Sequence, residues 1–116
     1  MASKNTAQNA LCKKLGKDYR IRYIDWERCI YRDFGNGFNV EISGTHTTSK
    51  RKLASLYLWF GGELIVKRVH EVPQDDIDRA ADDLLAYSQQ LLEQGYTTRD
   101  DLFYMMYPEL KKLKAS

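Results

Sequence analysis

The stretch Gly35-Asn36-Gly37-Phe38-Asn39-Val40-Glu41-Ile42-Ser43 decides the fold. Asn and Gly adopt positive φ at little cost, so its first three residues read as a turn. Behind them Phe38, Val40 and Ile42 alternate with Asn39, Glu41 and Ser43. That period of two marks a strand with one buried face. Upstream, Cys29 to Phe34 reads as its partner strand, while residues 19–29 fit neither a helical nor a strand period. Downstream, Gly44 to Lys52 is a polar hairpin loop. Leu53 to Phe60 is apolar on both faces, as a covered central strand would be. Gly61-Gly62 is a further turn, and Glu63 to Val72, with Lys67 and Arg68 exposed, reads as an edge strand. The pattern predicts an antiparallel meander of three to four strands.

Helices flank this meander. Ala10, Leu11, Lys14 and Leu15 suggest a short helix stopped by Gly16, after a frayed start over residues 1–8. Beyond Pro73, Ile77, Ala80, Ala81, Leu84, Ser88, Leu91 and Leu92 follow the 3.6-residue period of an amphipathic helix. Gly95 stands where a left-handed residue ends such a helix. Thr98-Arg99-Asp100-Asp101 then resembles a capping box with Asp in place of Glu, opening a second C-terminal helix through Leu102, Phe103, Met105 and Met106. Pro108 interrupts before a basic tail. The expected class is α+β, one domain over residues 1–116, with a short N-terminal helix and two C-terminal helices.

Composition narrows the setting. A chain of 116 residues with 43% hydrophobic and 29% charged residues can bury roughly 60–70% of its unfolded surface without staples. No apolar run approaches a membrane span, and Met1 to Gln8 has no secretory pattern. A cytoplasmic, reducing setting is expected, with Cys12 and Cys29 as free thiols. The net charge of +2 hides two poles: residues 1–70 carry 13 Lys/Arg against 6 Asp/Glu, and residues 71–116 carry 5 against 10.

Catalytic signatures are missing from the sequence. His46 and His70 lack metal-ligand spacing, the glycine pairs precede no helix, and the Asp-rich run lacks the glycine and terminal Glu of a calcium loop. A non-enzymatic binding protein without cofactor or metal is the expectation. Two charged groups can serve it. Glu71, Asp75, Asp76, Asp78, Asp82 and Asp83 crowd carboxylates at one helix start, a field similar to that of phosphates. Arg20, Arg22, Arg28, Lys50, Arg51 and Lys52 form a basic set among aromatics and could contact nucleic-acid phosphates directly. Dipole stabilisation and solvation account for part of each group. An antitoxin-like or assembly role through the Glu63–Val72 edge is a further alternative.

The element order helix, strands, helix resembles the double-stranded RNA-binding domain. That family grips phosphates with lysines at the start of its second helix, where this chain reads Pro73-Gln74-Asp75-Asp76-Ile77-Asp78. The reversed charge removes that function. The order and charge placement also resemble small anti-CRISPR proteins of phages and mobile elements that inhibit type II effector nucleases. The resemblance rests on no sequence motif. It implies an inhibitor whose acidic helix mimics DNA in the basic cleft of a larger nucleic-acid-handling protein, such as a CRISPR effector nuclease, whose arginines read target DNA.

Overall fold

The computed structural model describes residues 5–45 and 53–115. Five antiparallel strands follow one another across a single sheet in the order β1-β2-β3-β4-β5. They are β1 (Tyr19–Ile24), β2 (Glu27–Asp33), β3 (Phe38–Ser43), β4 (Leu53–Phe60) and β5 (Leu64–Pro73). The helices are α1 (Asn5–Leu15), α2 (Ile77–Glu93), α3 (Arg99–Met106) and α4 (Pro108–Ala115), with a single 3-10 turn at Gln74–Asp76 before α2. The α+β class stands as expected, with one strand more than the upper expectation and one helix more at the C-terminal end.

The extra strand comes from residues 19–29. Tyr19 pairs with Arg32 and Ile24 with Glu27, leaving Asp25-Trp26 as a two-residue turn. Both turn residues have positive φ, 50° and 67°. Asn-Gly is the usual sequence for such a turn, so Asp-Trp gives no punctuation to read. The alternation is blurred as well, because Cys29, Ile30 and Tyr31 are all buried although they point to alternate faces.

The other turns follow their residues. Gly35 and Gly37 take positive φ, Asp33 accepts from Gly35 N–H at 2.8 Å, and Asn36 accepts from Phe38 N–H at 3.1 Å. The Asn36 amide also donates to Ser88 Oγ at 3.0 Å, tying this turn to α2. In β5, His70 and Glu71 stand opposite Ser55 alone, and Glu71 takes a φ of 58°. This bulge, with Lys67, Arg68 and Pro73 along the strand, guards the β5 edge against further pairing.

One face of the sheet holds the core. Ile30, Phe38, Val40, Ile42, Leu56, Leu58 and Val66 pack with Cys12 of α1, with Ile77, Ala81, Leu84 and Leu91 of α2, and with Leu102 of α3. The α2 stripe is the periodic one, with Ala80 and Leu92 at its margins. Gly95, at φ 93°, closes it as expected, and Tyr96 N–H bonds back to Leu91 C=O at 3.0 Å. Thr98 Oγ1 accepts from Asp101 N–H at 3.1 Å and starts α3. The N-terminal helix begins earlier than expected. Gln8, within the start expected to fray, is fully buried and donates to Arg28 C=O at 3.1 Å and Thr45 Oγ1 at 2.7 Å.

Candidate functional site

The six acidic candidates remain exposed, but the fold divides them. Asp75, Asp78 and Asp82 fall at i, i+3 and i+7, one stripe of the helix that turns toward α1 and the first two strands. Asp75 lies 3.9 Å from Lys14. Asp78 accepts from the Tyr19 hydroxyl at 2.7 Å, and Asp82 accepts from Arg32 at 2.9 Å. Arg32 donates to the Tyr19 oxygen as well, at 3.2 Å. Asp82 is therefore a fastener between α2 and β2. Asp76, Asp83 and Glu71 have no cation within ion-pair distance among the described residues.

Burial shapes the chemistry of this link. It raises the Tyr19 phenol well above its ordinary range, and the hydrogen bond to Asp78 adds to the rise. For Arg32, burial pulls the guanidinium down, but the bonds to Asp82 and Tyr19 outweigh it and the net direction is upward. A protonated phenol can donate to Asp78 while accepting from Arg32, so the three groups form a connected chain of donors and acceptors.

The basic candidates divide in the same way. Arg28 points to the helix side, where Gln8 Oε1 and Asn9 Oδ1 accept from its guanidinium. Arg20 and Arg22 point to the opposite face, with their guanidinium carbons 5.0 and 4.7 Å from the centre of the Tyr31 ring. Neither has a carboxylate within ion-pair distance among the described residues. Lys50, Arg51, Lys52 and His46 lie outside the described residues. The acidic stripes of α2 and the pair Arg20 and Arg22 thus belong to opposite sides of the sheet.

No family model, curated protein or solved structure matches this chain. Its function is therefore argued from its own surfaces.

The face opposite the helices carries features that alternation alone did not reveal. Glu41, expected on a polar face, is buried to 8% exposure and accepts from Trp59 Nε1 at 3.0 Å and Ser43 Oγ at 2.7 Å. Ser55 Oγ and His70 Nδ1 lie 3.1 Å apart, with the Tyr57 ring edge-on to the imidazole. A serine–histidine pair becomes catalytic when a third group orients the base, and no carboxylate bonds His70 among the described residues. A groove of about 680 Å³ runs along this face between Tyr23–Asp25 and the turns at Gly35, Gly37 and Gly61-Gly62, with Arg22, Tyr31 and Trp59 in its lining. Tyr23 is in its lining and Trp26 follows Asp25, the last lining residue of that turn; the two are 68% and 99% exposed. Reading Asp25-Trp26 as a turn would have exposed both in the sequence.

The remaining reactive groups are withdrawn. Burial pushes the Cys29 thiol up to about 12, with Glu41 and Glu27 adding to the rise. Burial also raises Cys12, against the pull of Arg28. Thiols held protonated are poor nucleophiles and poor metal ligands. No cluster of three metal-binding side chains occurs among the described residues, and no described helix is long and apolar enough to cross a membrane.

Proposed function

We propose that this chain is a non-catalytic inhibitor that docks the acidic side of α2 into a cation-lined nucleic-acid cleft of a larger protein. One observation carries the reading: Glu71, Asp76 and Asp83 are exposed without a partner cation among the described residues, and α2 lies on the side of the sheet away from Arg20 and Arg22. Carboxylates left uncancelled by their own chain retain a negative field for arginines elsewhere. Asp75, Asp78 and Asp82 strengthen that field while holding α2 in place. The resemblance to anti-CRISPR proteins makes a guide-loaded type II effector nuclease the first partner to try.

The test separates the docking acids from the fastening ones. Binding of the purified chain to that nuclease is measured alongside a variant with Asp76→Lys and Asp83→Lys. Loss of binding with an unchanged circular dichroism spectrum is expected. A variant that binds as tightly as the parent would remove the reading.

A second reading is direct binding of single-stranded nucleic acid across the helix-free face. It is favoured by Arg20 and Arg22, which lie over Tyr31 and have no carboxylate within ion-pair distance among the described residues. Affinity would then fall steeply with salt, and Arg20→Ala with Arg22→Ala would abolish it. A flat salt response would exclude it.

A further inference from the structure

The β1–β2 turn places Trp26 at positive φ, a conformation that bulky side chains rarely adopt. A bulky L residue at φ 67° crowds its Cβ against the following carbonyl, and glycine would sit there without penalty. The Trp26 side chain is 99% exposed, so folding shields almost none of its indole from water. Tyr23, facing Arg28 across the hairpin, is exposed beside it. A strained backbone presenting an unburied indole points to a contact outside the chain.

The surroundings select the kind of contact. Asp25 and Glu27 flank Trp26 and are exposed, while the Arg28 guanidinium is held by Gln8 and Asn9. An aromatic tip with acidic shoulders is repelled by phosphate, whether in nucleic acid or at an anionic bilayer. It suits an aromatic recess with a cation at its rim. In the groove along the helix-free face Tyr31, Trp59 and Arg22 share the lining with Asp25 and Asp33, and its volume is about 680 Å³, in the range of small-ligand clefts. Arg22 has no carboxylate within ion-pair distance among the described residues.

Tip and groove adjoin on one chain. A two-fold axis between two copies therefore lets each tip enter the other's groove, the self-complementary arrangement of an isologous dimer. The net charge of +2 offers little repulsion between copies. We propose that the chain dimerises by reciprocal insertion of Trp26, with Asp25 and Glu27 of each copy meeting Arg22 of the other. Two tryptophans at about 150–250 Å² each, with Tyr23 and the turn backbones, bring the buried area to the order of 1,000 Å², the low end for specific contacts. A contact of that size belongs to the weak, transient class, so the dimer forms with concentration. This inference is independent of the acidic side of α2.

Sedimentation equilibrium of the full chain, from low micromolar to millimolar concentration, tests it. A monomer–dimer equilibrium is expected, weakened at least about 30-fold by Trp26→Gly, with a native circular dichroism spectrum. Arg22→Glu and Glu27→Arg should each weaken the dimer, and the double variant should restore it. Asp76→Lys with Asp83→Lys should leave it unchanged. A monomer at every concentration, a dimer indifferent to Trp26→Gly, or no restoration in the double variant would overturn the proposal. Binding of a single-stranded oligonucleotide or an anionic vesicle by the chain, abolished by Trp26→Gly, would overturn it too and reassign the tip.

Discussion

Arg32 and Arg20 sit on neighbouring strands of one hairpin, and the sheet gives them opposite roles. Arg32 points to the helix side, where its side chain is 14% exposed and bonds both Asp82 and Tyr19. Arg20 points to the other side and stacks on Tyr31, exposed and without a carboxylate partner among the described residues. The same division separates Asp82, held by Arg32, from Asp83, one position on. Charge in the sequence therefore does not say whether a group fastens the fold or faces a partner. The face to which it points decides.

Several substitutions would break or sharpen this contrast. The largest effect belongs to the packed face: Phe38→Ala, at a fully buried ring edge-on to Phe60, should destabilise the chain by about 3–5 kcal/mol in urea unfolding. Arg32→Ala should cost about 1.5–3 kcal/mol, because it removes the charge-assisted bonds to Asp82 and to the Tyr19 oxygen. The same link has a pH signature. Burial raises the Tyr19 phenol above its ordinary value of about 10 in the folded state, so folding favours the protonated phenol. Its contribution is complete below pH 10 and is lost as pH rises through the folded value. Unfolding titrations should show an alkaline loss that Tyr19→Phe reduces.

Trp26→Gly should act with the opposite sign. Relieving the left-handed strain should stabilise the monomer by about 1 kcal/mol, measured in dilute solution where no dimer forms. Destabilisation there would mean that the indole supports its own hairpin. Arg20→Ala should have the smallest effect, about 0.5–1 kcal/mol, the range of an exposed cation–π contact. If Arg20→Ala and Arg32→Ala cost the same, the contrast between the faces fails.

Much of the fold was legible along the chain. The Phe38–Ser43 alternation, the Gly-Asn-Gly and Gly-Gly turns, the Ile77–Leu92 stripe, the Gly95 stop and the Thr98 cap are all local signals, each fixed by the backbone preferences of a few adjacent residues. The first hairpin was not legible, because its turn places Trp26 at a positive φ that tryptophan rarely adopts and because both faces of β2 are buried. The α1 start was hidden for a related reason. Gln8 looks like a polar terminus until Arg28 and Thr45, brought from 20 and 37 residues away, satisfy its amide.

The candidate site was legible in composition and not in arrangement. Sequence by itself determined an α+β chain with a basic first half, an acidic second half and a surplus of aromatic residues, since charge and local period need no partner to be read. Tertiary structure alone decided which charges oppose each other. Lys14 meets Asp75, Tyr19 meets Asp78 and Arg32 meets Asp82 only after the meander places β1 and β2 beside α2. Tertiary structure also left Trp26 in water, because side-chain exposure is a property of the packed whole and no short window of sequence contains it.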